Sequence, residues 1–196
     1  MEVIITLIRG AYTRLEKEGR ILGRLDHPAS KDGVEALHIK SRAGEYPAAQ
    51  AVFSSPLVRS LESARAIYPR EEIIELGQLT DFDYGVFAGK NYSEVASDKQ
   101  FKAWADSKIL TALPGGEPPY AFLSRCGAAL REIIDHTRKN NLERISVITH
   151  QLVIGAMLQR ENMPGYIYCD YHPDYGGGFV THLEEGVRWL RVLKKL

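Results

Sequence analysis

Val3-Ile-Ile-Thr-Leu-Ile-Arg-Gly10 carries six apolar or β-branched residues into an arginine and a glycine. An unbroken run of this kind marks a strand buried on both faces, as in a parallel sheet covered by helices on each side. The pattern returns at Ala51-Val-Phe-Ser54, halted by Ser55-Pro56, and at Ile145-Ser-Val-Ile-Thr149, which runs into His150. Glu72-Ile-Ile-Glu75 reads as a shorter strand. Helices are expected between the strands, from about Ser30 as N-cap, over Leu57–Tyr68, over Pro118–Arg138 and over Leu152–Arg160. In the third of these, Phe122, Leu123, Cys126, Leu130, Ile133 and Ile134 recur at helical spacing. The tail, Gly178–Leu183 and Val187–Leu193, reads as two strands joined at Glu185-Gly186. Strands alternating with helices predict an α/β fold, a three-layer sandwich with a mostly parallel central sheet. Residues 1–196 read as one domain. Positions 77–119, rich in glycine, aspartate and aromatics, are expected to be irregular with one or two short helices, and functional rather than linker.

Lys+Arg and Asp+Glu number 25 each. Such a neutral chain is a poor partner for nucleic acid or an anionic membrane, so any charge-based function must come from a local cluster. Cys126 and Cys169, the only cysteines, form neither a disulfide framework nor a metal spacing. The apolar start lacks a basic lead-in, and no run approaches the roughly 20 residues of a membrane span. A cytoplasmic protein without membrane partner, cofactor or bound metal is expected, and a homodimer is compatible with the sequence.

Such a cluster is predicted by position. Arg9 and His150 each follow a strand directly, and Arg59 stands at the start of the helix after Ala51–Ser54. Ligands of open α/β sheets bind beyond the carboxyl ends of the strands. If these strands are neighbours, two guanidiniums and an imidazole meet near a helix N-terminus, an arrangement suited to phosphate oxygens. Taken singly, each residue also fits a surface or structural role.

Five blocks sharpen the expectation. Leu7-Ile-Arg-Gly-Ala-Tyr-Thr13 with Gly19-Arg-Ile-Leu-Gly-Arg-Leu-Asp-His-Pro28 resembles the opening signature of the histidine phosphatase superfamily, which includes phosphoglycerate mutases and α-ribazole phosphatases. Ser54-Ser-Pro-Leu-Val-Arg-Ser-Leu-Glu-Ser-Ala64, Leu79-Thr-Asp-Phe-Asp-Tyr-Gly-Val-Phe-Ala-Gly89, Pro114-Gly-Gly-Glu117 and Val147-Ile-Thr-His150 continue it in order. The Gly-Arg-x-Asp-x-Pro block and the Gly-Gly-Gly-Phe-Val tail are most similar to α-ribazole phosphatases. The resemblance implies a phosphomonoester site in which a histidine after the first arginine becomes phosphorylated. Arg9, Arg59 and His150 would bind the phosphoryl oxygens. Asp81 would be the general acid, with Asp83 as rival.

The departures matter as much. Gly10 occupies the place of the attacking histidine, and Ala11 follows it. The family's phosphate-binding asparagine aligns with Glu16, and Gln151-Leu152 replace two glycines. A carboxylate about 4 Å from a phosphate would cost on the order of 4 kcal/mol at an effective dielectric near 20. Three readings follow: a catalytically degenerate binder of a phosphorylated small molecule, an active phosphomonoesterase with an altered mechanism in which Glu16 or Asp81 orients water, or an interaction protein that keeps only the fold. His38, His136 and His182 read as solvated or core residues. His172, between Asp170 and Asp174, reads as part of a substrate-facing loop rather than a metal site. Trp104 and the aromatics of Tyr84–Phe87 read as core packing rather than cleft lining.

Overall fold

A computed structural model describes residues 3–159, 171–183 and 189–196. The elements in chain order are β1 (Val3–Arg9), α1 (Arg14–Lys17), α2 (Lys31–Arg42), β2 (Ala51–Ser54), α3 (Val58–Ile67), β3 (Ile73–Glu75), α4 (Tyr92–Val95), α5 (Lys99–Asp106), α6 (Pro119–Lys139), β4 (Arg144–Thr149), α7 (Gln151–Leu158), β5 (Gly178–Leu183) and β6 (Leu190–Lys195). Six strands form one mixed sheet in the order β3-β2-β4-β1-β5-β6. The pairings from β3 to β1 are parallel, and β5 and β6 add antiparallel partners on one side.

The unbroken apolar run of β1 is explained by burial on both faces. Ile5 and Leu7 belong to one core cluster with α6 and α7, whereas Ile8 joins a second cluster with Leu37 of α2 and Ala64 and Ile67 of α3. Helix α6 turns Phe122, Cys126, Ile133 and Ile134 inward as its spacing predicts. Ser30 caps α2 by accepting the Gly33 N–H at 3.1 Å.

Several boundaries differ from expectation. Residues 77–119 hold two 3₁₀ turns, Gly77–Leu79 and Gly85–Phe87, in addition to α4 and α5. Helix α1 also went unpredicted, because four residues leave too short a pattern for periodicity to register. Arg160 and Glu185-Gly186, proposed for a helix end and a strand junction, lie outside the described residues, as do Cys169 and Asp170. No helix among the described residues is long and apolar enough to cross a membrane.

Candidate active site

In the parallel ladder Arg9 stands opposite Thr149, and the Gly10 N–H donates to the Thr149 carbonyl at 3.1 Å. Gly10 and His150 therefore leave the sheet side by side. On the far side of β4, Ser54 pairs with Ile148, and the chain turns at Ser55-Pro56 into α3, whose second residue is Arg59. Arg9, Arg59 and His150 line one cavity, together with Gly10, Glu16 and Asp81. The strand order, which sequence alone could only suppose, brings them together.

Each polar group has a defined setting. Arg59 is 3% exposed. Its guanidinium donates to the Gly23 carbonyl at 2.7 Å and the Leu25 carbonyl at 2.9 Å, contacts that orient its fork without neutralising it. Arg9 lies over the Tyr175 ring, 3.6 Å from its centre, and donates to Gln151 Oε1 at 2.6 Å and the Pro173 carbonyl at 3.0 Å. His150 Nε2 is 2.9 Å from Ser55 Oγ, and Nδ1 is 3.5 Å from an Arg59 nitrogen. Burial and the neighbouring arginines push the imidazole well below its ordinary range, which favours the neutral ring. Asp81 Oδ2 lies 3.6 Å from Arg59 and 3.9 Å from His150 Nδ1. Burial raises this carboxyl, and Arg59 opposes the shift.

The geometry separates Asp81 from its rival. Asp83 accepts the Gly85 N–H at 2.9 Å, pairs with Arg24 at 3.7 Å, and does not line the cavity. Glu16 does line it and turns back onto its own helix. Its Oε2 accepts the Thr13 N–H at 2.8 Å, while Thr13 Oγ1 accepts the Glu16 N–H at 3.1 Å, a reciprocal cap on α1.

A Cβ added at Gly10 would sit 3.0 Å from Ser63 Oγ, so residue 10 faces α3. Tyr84 packs against the core beside Phe82 and Trp104 and also lines the cavity, whereas Phe87 and Trp104 are buried in the core. His136 packs edge-on against Phe53, and His38 and His182 are partly buried on α2 and β5. His172 is exposed, with Nδ1 2.7 Å from Gln151 Nε2. Asp174 lies near Lys195 at 3.9 Å. No group of three or more potential metal ligands is found among the described residues.

Sequence reasoning missed Arg125 altogether. It forms a two-pronged pair with Glu117 at 2.7 and 2.9 Å and donates to the carbonyls of Gln78, Thr80 and Asp81. The Asp81 loop is thus fastened to α6. The rim residue Tyr92 was missed as well, since a lone tyrosine has no periodic signature, whereas Tyr175 belongs to the loop expected to face substrate and lines the cavity.

The histidine phosphatase superfamily (branch 1) model matches residues 5–174. The structure resembles that of the α-ribazole phosphatase from Shigella flexneri, with a TM-score of 0.77 at 19% identity over 97% of this chain and 96% of that one. A phosphoglycerate mutase from Bacillus anthracis gives 0.81 at 16% identity over 97% and 91%. A protein from Thermus thermophilus gives 0.70 at 23% identity over 100% and 99%. No curated protein matches the chain. The solved structures agree on the fold, and the model match spans most of the sequence: the chain belongs to the histidine phosphatase superfamily.

Proposed function

We propose that the cavity binds a phosphorylated small molecule and is catalytically degenerate for the phosphohistidine route. The observation that carries this reading is the meeting of Arg9, Arg59 and His150 around one cavity beside Gly10. Guanidinium forks match phosphate oxygens. A neutral His150 adds a hydrogen bond, and Gly10 offers no atom to accept a phosphoryl group. α-Ribazole phosphatase-like chemistry on a nucleotide-type ester supplies the ligand class to try first, because the opening and closing blocks resemble that group.

Vanadate and inorganic phosphate test the reading by thermal shift. At a ligand concentration 100 times Kd, binding adds about 2.7 kcal/mol, a rise of roughly 5 °C or more for a chain of this size. Arg59→Ala should abolish the rise. No stabilisation of the wild type by either anion would sink the binding role and favour an interaction protein that keeps only the fold.

A further inference from the structure

The cavity contains groups that binding alone does not use. Asp81 and Glu16 both line it, along with Gly10. Two carboxyl groups around a phosphate site weaken anion binding, and the helix cap occupies only one oxygen of Glu16. Their settings differ. Asp81 is held in a largely buried pocket against Arg59, whereas Glu16 is partly exposed on α1 with Oε2 on the Thr13 N–H.

The hydroxyl, phenol and imidazole side chains there are otherwise committed. Ser60 is fully buried, with Oγ 3.5 Å from His150 Nε2. Thr149 is also fully buried, and its hydroxyl donates to the Leu79 carbonyl at 2.8 Å. His150 faces Ser55 with one nitrogen and Arg59 with the other. Burial, with the Glu16 carboxylate beside it, pushes the Tyr175 hydroxyl up to about 12 against the pull of Arg9, and burial raises Tyr92 as well. Both phenols are held protonated and are poor nucleophiles. Water is the nucleophile that leaves both carboxyl groups free to transfer protons.

We infer that water attacks phosphorus directly in this cavity, with Glu16 taking the water's proton and Asp81 protonating the leaving oxygen. The inference rests on the phosphate-binding reading and deepens it. The water oxygen forms the new bond to phosphorus as the bond to the ester oxygen breaks. One water proton passes to Glu16, and the Asp81 carboxylic proton goes to the departing alkoxide. Inorganic phosphate and an alcohol are released, and the two carboxyl groups exchange a proton through solvent to reset. Arg9 and Arg59 hold the equatorial oxygens throughout. The substrate class is a phosphomonoester, and its slow turnover passes through a single displacement with no phosphoenzyme.

The purified wild type, Glu16→Gln and Asp81→Asn test this with glycerol phosphate and p-nitrophenyl phosphate. Glutamine still accepts the Thr13 N–H in the helix cap, so Glu16→Gln removes the base while keeping α1. Its turnover should fall at least about 100-fold and lose the acid limb of the pH–rate profile, with the vanadate thermal shift retained. Asp81→Asn should slow glycerol phosphate far more than p-nitrophenyl phosphate, whose leaving group needs no proton. A chiral thiophosphate ester should invert at phosphorus. Retention, a trapped phosphoserine or phosphohistidine, unchanged turnover in Glu16→Gln, or no turnover by a wild type that binds vanadate would each overturn the water route and leave anion binding standing. A wild type with no vanadate shift would instead remove the binding reading beneath it.

Discussion

At residue 10 the backbone is not in the left-handed region, so nothing in the main chain demands glycine. The local obstacle to a histidine is the hydroxyl of Ser63, which accepts the Ala11 N–H at 2.8 Å and donates to the Arg59 carbonyl at 2.6 Å. That hydroxyl ends a short side chain and must move by only a few tenths of an ångström. Gly10→His, with Ala11→Gly and Glu16→Asn, should therefore raise phosphomonoesterase activity by at least about 100-fold, with an acid-labile phosphoenzyme on quenching. No gain from a folded triple variant would mean that the pocket has diverged beyond its first residue. His150 carries a second expectation. Its folded proton affinity is depressed, so below about pH 6.5 the unfolded chain takes up a proton that the folded chain refuses. Stability should fall as pH drops through this window, by about 1 kcal/mol per pH unit. Asp81 acts in the opposite sense, because its raised affinity contributes stability at low pH that is lost as pH rises through its folded value. Urea midpoints of wild type and His150→Gln, compared from pH 7 to 5, isolate the imidazole. The variant should show the shallower acid decline, and parallel curves would contradict a neutral His150.

Among the elements, the 77–119 region shows where local reading stops. Gly85 has φ of +54°, and a Cβ there would collide with the backbone of the Pro114–Gly116 turn. Two loops distant in sequence thus touch main chain to main chain, an approach that hydrophobic periodicity cannot report. Arg125 locks the same region by linking Glu117 to the loop carbonyls of Gln78, Thr80 and Asp81. Arg125→Met should leave the buried Glu117 with only Arg24, 3.0 Å away, as its charged partner, at a cost of about 2 kcal/mol in urea denaturation. A loss below about 0.5 kcal/mol would place this network with surface ion pairs of little consequence.

For the whole molecule, β1 and β4 are the central strands, and β5 covers the side of β1 that faces away from β4. Removing residues 178–196 would expose the backbone edge of β1 along with Ile5 and Leu7, an open apolar edge prone to pairing with other chains. The shortened chain should be insoluble or lack a cooperative thermal transition. A soluble, cooperatively melting product would show that the parallel half of the sheet stands without its antiparallel border.

Burial on both faces writes itself into sequence as unbroken β-branched runs, and burial on one face as helical spacing. For that reason the α/β layers, β1, β2, β4 and α6 were legible before any coordinates. Arg9, Arg59 and His150 were legible as well, since each follows a strand end. Which strands are neighbours was not, because pairing order is a long-range property carried by no local pattern. Only the tertiary structure could set Asp81 rather than Asp83 on the cavity, turn Glu16 back to cap its own helix, and tie Arg125 to the Asp81 loop. Those outcomes depend on the direction of a side chain among groups far away in sequence, and direction is settled by packing.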